Sequence, residues 1–300
     1  MNMETEVLRW FQQVADGVTV TEVADLAMVS QPAVSRALAR LEDEVGTPLL
    51  QRSGRVLRLT QAGAAFKPHA DSVVNALDDG LAAVTEVLDP DAGTVTVSFQ
   101  LSLGTWLVPH LVRRFLLEHP RTQFHMRRAE DAWGGSLVTR GLVDMELTSR
   151  RPDTAQGTWH PLFTETLYLA VPPGHRLAQL EEVSLAEAAG ERFVAMRPQW
   201  QLREIADRLC NAAGFSPQMV FESDDLTTVR GFVAAGLGVA IVPAMDANPD
   251  SPMPGEPWLV RLTDEGAFRD IGLIWSPQRR LLPAAERFRA FLLAQHLTSH

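Results

Sequence analysis

The sequence has little cysteine, no surplus of positive charge and no long apolar run. Cys210 is the single cysteine among 300 residues, which excludes an internal disulfide framework and a cysteine-rich zinc site. No segment approaches the roughly 18 consecutive apolar residues of a membrane-spanning helix. Residues 1–16 are amphipathic and acidic, unlike a secretory signal peptide. We therefore expect a cytoplasmic protein that holds no metal ion and no cofactor.

The charge balance limits how this chain could bind nucleic acid. It contains 27 Lys and Arg residues against 37 Asp and Glu, a formal net charge of -10 at pH 7. Neutralisation of phosphate charge supplies most non-specific affinity for nucleic acid, so the chain as a whole is not suited to coating it. Residues 30–60 differ, because they carry five arginines and three acids. Any DNA contact should be confined to this segment, whose arginines are Arg36, Arg40, Arg52, Arg55 and Arg58.

Start and stop signals predict three short helices in the first 45 residues. Apolar residues recur at helical spacing over residues 6–15. Thr19 precedes Glu22 by three positions, the pattern of a capping box, which predicts a second helix over about residues 20–27. Ser30 is a further N-cap candidate with Pro32 in the first turn, so a third helix should begin there and run to about residue 45. The short connection between the last two helices predicts a tight crossing.

The outer face of the third helix is polar and basic at its N-terminal end. Gln31, Ser35 and Arg36 can hydrogen-bond base edges or phosphates, and Arg40 follows one turn later. Residues 51–59 then alternate apolar and polar side chains around a Ser-Gly pair, which predicts a hairpin. A small helical core that binds nothing would explain the helix spacing alone. A recognition helix followed by a basic wing explains the outer face as well.

The stretch VSQPAVSRALARLEDEVGTPLLQRSGRVLRLTQAG, residues 29–63, resembles the DNA-binding end of the LysR-type transcriptional regulators. That family usually carries Phe where Leu50 stands, a substitution that the wing tolerates. The resemblance implies contacts with bases or adjacent phosphates from Gln31, Pro32, Ser35 and Arg36, and contacts with the DNA backbone from Arg40, Arg52 and Arg55.

A long amphipathic helix is predicted to follow the wing. From the N-cap candidate Thr60, apolar residues recur every three or four positions over nearly thirty residues, a length of about 40 Å. This stripe could pack on the chain's own second domain. We favour pairing with a second copy, because recognition helices usually act in pairs on two-fold DNA sites. Residues 89–93 then form a hinge, and the candidate dimerisation residues are Phe66, Val73, Leu77, Leu81 and Val84.

Strand and helix patterns alternate from residue 93 onward, which predicts an α/β architecture with mostly parallel sheets. Helices are predicted at residues 103–119 and 202–213, among others. The predicted strands are residues 94–99, 122–128, 145–148, 166–171, 192–196, 218–222, 238–242 and 271–275.

Four segments of this region, LVPHLVRRFLLEHP, GLVDMEL, LAVPPGHRLA and VAAGLGVAIVP, resemble the effector domain of the same family. The resemblance implies an α/β chain in three parts: a winged helix-turn-helix at residues 1–60, a linker helix at 61–89, and a two-lobed, periplasmic-binding-protein-like effector domain at 93–300. Lobe 1 should comprise residues 93–162 and 268–300, and lobe 2 residues 163–267. Crossovers between the lobes are expected near Phe163 and over residues 263–268.

Ligands of two-lobed α/β domains bind in the cleft at the carboxyl ends of the strands. This rule selects the segments 100–103, 129–133, 148–149, 196–200 and 223–226. By resemblance, five of the selected residues occupy positions that commonly contact effector: Gln100, Ser102, Leu103, Ser149 and Asp224. The full set of candidate effector-binding residues is Gln100, Ser102, Leu103, Asp131, Trp133, Ser149, Met196, Trp200 and Asp224.

The predicted cleft is acidic. Asp224 stands where several relatives that bind anionic metabolites carry a hydroxyl residue, and Glu130 and Asp131 lie on a facing loop. Carboxylates in a cleft repel an anionic ligand unless a cation such as Arg197 or Arg203 lies nearer. We therefore expect an effector that is neutral, or that carries a cationic or hydroxyl-rich end, stacked on Trp133 or Trp200.

These patterns favour a sequence-specific DNA-binding transcriptional regulator controlled by a small-molecule effector. Its expected partners are promoter DNA, the effector and further copies of itself, as a dimer and, by resemblance, a tetramer, with RNA polymerase as a further candidate. The alternatives are a small-molecule-binding α/β protein or enzyme with a non-functional helical N-terminal tail, and a structural or redox protein. Neither a GxSxG elbow nor a strand-first GxGxxG is present, so we do not expect an enzyme. Cys210 lies in an apolar run typical of a buried residue.

Overall fold

The computed structural model describes residues 4–53, 56–89, 92–128, 137–139, 141–152, 157–244, 255–295 and 297. The chain divides into two compact units, one made of residues 1–90 with 140–142 and the other of residues 91–139 with 143–300. No helix of the described residues combines the length and the hydropathy needed to cross a bilayer.

The N-terminal unit contains the three short helices, the hairpin and the long helix that the sequence predicts. The two strands of the hairpin are antiparallel, with Leu50 opposite Leu59. The elements are α1 (Thr5–Ala15), α2 (Val20–Leu26), α3 (Gln31–Val45), β1 (Leu50–Ser53), β2 (Val56–Leu59) and α4 (Gln61–Leu88).

Two of the three predicted N-caps make the expected side-chain hydrogen bonds. Thr19 Oγ1 accepts a hydrogen bond from the Glu22 amide at 3.2 Å while Glu22 Oε2 accepts one from the Thr19 amide at 2.8 Å, which confirms the capping box. Thr60 Oγ1 accepts from the Gly63 amide at 3.0 Å and caps α4. Ser30 stands at the N-cap of α3, but its hydroxyl makes no capping hydrogen bond. This helix therefore starts without the hydroxyl cap that the sequence predicted.

The wing is fixed to the helices at Leu49. This side chain is fully buried, and a Cβ at Gly63 would lie 2.0 Å from the Leu49 carbonyl oxygen, so only glycine permits α4 to start this close. Glu42 on α3 anchors the same segment, because its Oε1 accepts hydrogen bonds from the Leu49 and Leu50 amides, both at 2.8 Å. The recognition helix and the wing are thus held together at the point where the chain passes from one to the other.

The long helix α4 covers the N-terminal core with one face. Ala70 and Val74 are buried in this core, and the ring of Phe66 lies 5.7 Å from that of Phe11. Phe66 is therefore half-buried within its own unit, unlike the other candidate dimerisation residues. Those four are between 44% and 61% exposed and form what we call the α4 stripe: Val73, Leu77, Leu81 and Val84.

A buried ion pair lies on the covered side of α4. Lys67 Nζ donates to both carboxylate oxygens of Asp71, at 2.8 and 3.0 Å, and lies 3.0 Å from the Asp16 carboxylate. The side chains of Lys67 and Asp71 are 8% and 0% exposed, whereas that of Asp16 is 48% exposed. The N-terminal unit therefore encloses a charged pair together with its apolar core.

The second unit is built from alternating strands and helices. It begins with β3 (Gly93–Phe99), α5 (Leu107–Glu118), β4 (Thr122–Arg128), β5 (Met145–Thr148) and β6 (Thr158–Val171). It continues with β7 (Glu182–Val183), β8 (Arg192–Met196), α6 (Gln201–Ala212), β9 (Gln218–Ser223), α7 (Leu226–Ala234), β10 (Ala240–Pro243), β11 (Trp258–Leu262), β12 (Phe268–Trp275) and α8 (Pro283–Leu293).

Strand β6 connects two lobes, each of which has its own core. Its first part pairs with β12, and its last part pairs with β10 and β11. Phe163 packs into the core of lobe 1, around β3, β5, α5 and α8, whereas Leu167 is buried in the core of lobe 2, around α6, α7, β8 and β10. The strand order of the main sheet is β4-β3-β5-β12-β6-β11-β7, with β10 also paired to β6, and β8 and β9 form a separate pair.

Three predictions for this unit are wrong in detail. The sheets are mixed rather than mostly parallel, because β6 and β12 run antiparallel to their neighbours as they pass between the lobes. Strand β6 begins at residue 158, eight residues earlier than predicted. The helix predicted from residue 103 begins at Leu107, after a short 3-10 turn at 101–103. Gly104 lies against the Phe99 ring after this turn, where a Cβ would approach the ring to 2.5 Å.

Candidate functional site

Helix α3 is buried on one face and polar on the other. Val34, Leu38 and Leu41 are at most 5% exposed in the N-terminal core. On the outer face, Gln31 Nε2 donates to Ser35 Oγ at 2.9 Å, so these two side chains are held side by side. Among the predicted DNA-binding residues of this helix, Ser35 is half-buried. The others are exposed, and they are Gln31, Pro32, Arg36 and Arg40.

The hairpin also carries exposed arginines. Arg52 on β1 and Arg58 on β2 are both exposed, and the register sets Arg52 opposite Leu57. Arg55 lies outside the described residues. Of the three acids counted in this segment, Glu42 is turned toward the wing, where it accepts the two backbone hydrogen bonds described above. Counting the charges along the sequence does not reveal this structural role of Glu42.

A cavity lies between the two lobes at the carboxyl ends of strands. It brings together five of the nine predicted effector residues, and its volume is about 30 Å³, close to the share of one water molecule in the liquid. In this conformation the cleft is therefore almost closed. The cavity is lined by Gln100, Leu101, Ser102, Met196, Trp200, Gln201, Leu202, Asp224, Leu226 and Arg269.

Two of the other predicted effector residues, Leu103 and Ser149, do not line this cavity. Leu103 is fully buried in the core of lobe 1. The Ser149 amide donates to Gln100 Oε1 at 2.9 Å, so Ser149 orients a lining side chain, and its own buried hydroxyl has no hydrogen-bond partner among the described residues. Asp131 and Trp133 lie outside the described residues.

The charge of Asp224 is balanced within lobe 2. Its Oδ1 accepts hydrogen bonds from Gln199 Nε2 at 2.8 Å and from the Trp200 indole at 3.1 Å, and its Oδ2 lies 3.0 Å from the Arg197 guanidinium. Arg203 instead pairs with Asp207 and Glu222. Arg197 is therefore the cation that offsets this carboxylate, and Trp200 is held at the cavity by its indole hydrogen bond.

Arg269 is the functional candidate that sequence reasoning missed. It lies on β12, and its side chain is 3% exposed. Its Nε donates to Glu165 Oε2 on β6 at 2.6 Å, and an Nη donates to Ser102 Oγ at 3.2 Å. Among the described residues that line the cavity, Arg269 is the one cation. The only sequence signal was its place beside the predicted crossover, because Glu165 lies 104 residues away along the chain.

The single cysteine lies outside this cavity. Cys210 on α6 is 1% exposed within the core of lobe 2. Burial raises the pKa of its thiol to about 12, with a further contribution from the negative charges of Asp207 and Asp264. The thiol is protonated at neutral pH, and a protonated thiol is a poor nucleophile.

Comparisons with known proteins confirm the resemblance seen in the sequence. Residues 5–64 match the family described as "Bacterial regulatory helix-turn-helix protein, lysR family", and residues 89–296 match the family described as "LysR substrate binding domain". The chain is 34% identical to the uncharacterized HTH-type transcriptional regulator YybE of Bacillus subtilis (strain 168), over 97% of this chain and 99% of the relative. It is 33% identical to the transcriptional dual regulator GltC of the same organism, over 97% of each chain.

Solved structures share the fold. CbnR, a LysR family transcriptional regulator, matches with a TM-score of 0.73 at 22% identity, over 97% of this chain and 98% of that chain. Full-length CbnR complexed with its target DNA matches with a TM-score of 0.72 at the same identity, over 97% of this chain and 99% of that chain. This chain belongs to the LysR family of DNA-binding transcriptional regulators, with an N-terminal helix-turn-helix domain and a C-terminal effector-binding domain.

Proposed function

We propose that α3 enters the major groove of promoter DNA while the wing contacts neighbouring phosphates. The observation that carries this proposal is the one-sidedness of α3, which buries its apolar face and exposes Gln31, Pro32, Arg36 and Arg40. The solved complex of CbnR with its target DNA supports the same use of the fold. The proposed contacts are to bases or adjacent phosphates from Gln31, Pro32, Ser35 and Arg36, and to the DNA backbone from Arg40, Arg52 and Arg55.

Replacing Arg36 by alanine should weaken operator binding by about 1–3 kcal/mol, roughly 5- to 150-fold, because the variant loses a base or phosphate contact. The slope of log affinity against log salt should also fall by about 1 if the contact is to phosphate. A gel shift with the intergenic DNA beside the gene measures both. The matched control is Arg113→Ala, an exposed arginine on α5 of the other unit. Equal retention of DNA by Arg36→Ala and the wild type would refute the role of Arg36.

We propose that a second copy of the chain covers the α4 stripe. Leu77 and Leu81 are 44% and 61% exposed on the long helix, although most apolar residues of this unit are buried in its core or packed against it. Leu77 also lines a groove of about 330 Å³ with Trp10 and Leu26, so the apolar surface extends beyond one helix. A two-fold dimer would present two recognition helices to a two-fold operator. Association of effector domains would then give the proposed tetramer.

Replacing Leu77 by lysine should dissociate this dimer, because a charged group would be buried in the paired face. Sedimentation equilibrium should then report a lower mass than that of the wild type. Ser72→Lys is the matched control, since Ser72 is exposed on the same helix outside the stripe. An unchanged mass for Leu77→Lys, or an equal loss in both variants, would refute pairing through the stripe.

We propose that the inter-lobe cavity binds a small polar effector that is neutral or rich in hydroxyl groups. The pairs Asp224–Arg197 and Glu165–Arg269 leave the cavity with balanced charge. Gln201 Oε1 is buried without a hydrogen-bond partner among the described residues, so the wall offers an acceptor to a ligand. Small-molecule sites usually measure about 300–1,000 Å³. The lobes must therefore separate to admit the effector, and this movement is the proposed signal.

Family membership favours regulation over catalysis, so we propose that the chain is not an enzyme and that its N-terminal unit is functional rather than a residual tail. Promoter binding requires access to the chromosome, which supports the cytoplasm as its place of action. RNA polymerase is a proposed further partner, because transcriptional regulators act on its recruitment. The raised thiol pKa of Cys210 argues against a redox signal at this residue.

A further inference from the structure

A second concave surface lies on lobe 1, away from the inter-lobe cavity. It is formed by the end of β12, the segment that follows it and the first turns of α8, and it encloses about 660 Å³. This volume falls within the range of roughly 300–1,000 Å³ that small-molecule sites occupy. We call it the arginine groove, and it is lined by Arg279, Arg280, Arg287 and Arg289 together with Trp275 and Leu281.

The arginine groove is strongly basic although the chain as a whole is acidic. Among the described residues, four arginines line it against one carboxylate, that of Glu286. Arg279 lies 3.3 Å from the Asp144 carboxylate, and Arg289 pairs with Glu286 while its guanidinium stacks 5.0 Å from the centre of the Trp275 ring. Arg280 is exposed beside them. The groove thus keeps positive charge after its internal ion pairs are counted.

Arg287 is the residue whose hydrogen bonding is incomplete. Its Nε and Nη2 atoms are buried, and neither has a hydrogen-bond partner among the described residues. Arg289 Nε is in the same situation. A buried charged donor without an acceptor is unfavourable, and such groups in folded proteins are normally satisfied by an acceptor. These three donor nitrogens therefore require an acceptor that the described part of the chain does not supply.

We infer that the arginine groove binds a small ligand carrying a multiply charged oxyanion, either a phosphate ester or a polycarboxylate. The guanidinium fork matches the oxygen spacing of both groups and forms charge-assisted hydrogen bonds with them. Trp275 and Leu281 supply an apolar wall for the organic part of the ligand. The site is built from one continuous segment of lobe 1, so it is separate from the effector cavity and does not depend on movement of the lobes.

Thermal unfolding of the full chain in inorganic phosphate, in citrate and in chloride at equal ionic strength tests this site. With a Kd of about 1 mM, roughly 10 mM phosphate or citrate should raise the Tm of the wild type by about 3–5 °C over chloride. Arg287→Gln should lose this rise. In chloride the variant should be at least as stable as the wild type, because the substitution removes two buried donor nitrogens that lack acceptors among the described residues.

The control is Arg208→Gln, which removes the same charge from an exposed position on α6 and should keep the full rise. A rise with phosphate alone assigns a phosphate ester, and a rise with citrate alone assigns a polycarboxylate. No rise in the wild type with either anion, or an equal rise in Arg287→Gln, overturns the site. If Arg287→Gln does not fold, Arg280→Gln at an exposed position of the groove replaces it and should reduce the rise.

Discussion

Replacing Asp71 by alanine is expected to lower the free energy of unfolding of the N-terminal unit by about 3 kcal/mol. The Asp71 carboxylate is 0% exposed and accepts two hydrogen bonds from Lys67 Nζ, at 2.8 and 3.0 Å. Alanine would leave the Lys67 ammonium, whose side chain is 8% exposed, without its main counter-ion. Asp16 remains 3.0 Å from Nζ, which keeps the loss near the low end of the range for buried pairs. Urea denaturation followed by circular dichroism measures the change.

Asp16 provides the control for this prediction. It contacts the same ammonium but its side chain is 48% exposed, so Asp16→Ala should cost less than about 1 kcal/mol. The double variant Lys67→Met, Asp71→Leu should recover most of the stability, because it removes both charges and fills the space with apolar atoms. A cost for Asp71→Ala no larger than that for Asp16→Ala would contradict the buried pair.

The helices of the N-terminal unit were predictable because their signals are local. The capping box of Thr19 and Glu22 fixes the start of α2, and the apolar spacing from Thr60 predicts the length of α4. Spacing alone does not identify which surface an apolar residue packs on. Phe66 and Leu77 belong to one predicted stripe, yet Phe66 packs on Phe11 and Leu77 is 44% exposed. That distinction depends on where α1 lies.

The early start of β6 could not be predicted from local pattern. Pro161 breaks the strand pattern in the sequence, because proline cannot donate to a central ladder. The structure accommodates it opposite Gly272, at a shift in the register between β6 and β12. A Cβ at Gly272 would lie 2.4 Å from the Trp159 ring, so glycine is required where this ring crosses the neighbouring strand. The irregularity is visible only when both strands are known.

The effector cavity was predictable as a set of loops but not as a set of charges. The rule about the carboxyl ends of strands selected Gln100, Ser102 and Asp224, which do line the cavity. It did not find Arg269, which reaches the cavity from a crossover strand. It also could not assign Arg197 to Asp224, because a 3.0 Å ion pair depends on how two loops are placed. The sequence predicts an acidic cleft, but the charges of the described cleft residues are balanced by ion pairs.

Replacing Glu165 by alanine is expected to cost about 3–5 kcal/mol in the unfolding of the second unit. The Glu165 and Arg269 side chains are 5% and 3% exposed and are joined at 2.6 Å across β6 and β12. Alanine leaves the guanidinium buried with the Ser102 hydroxyl, at 3.2 Å, as its remaining side-chain partner among the described residues. Denaturant titration should show the loss. Glu182→Ala, which breaks the exposed Glu182–Arg261 pair, should cost less than about 1 kcal/mol.

The same substitution should also change what the cavity binds. Arg269 lines the cavity, and its charge is offset by Glu165 in the wild type. Once that carboxylate is removed, an anion bound inside the cleft can neutralise the Arg269 charge, and burial strengthens the attraction between the two charges. Calorimetry with a small carboxylate such as acetate should therefore detect binding to Glu165→Ala that is at least about tenfold tighter than to the wild type. The double variant Glu165→Ala, Arg269→Met should lose this increase in acetate affinity. Equal acetate affinities in the wild type, Glu165→Ala and the double variant would show that the Arg269 charge does not contribute to ligand binding.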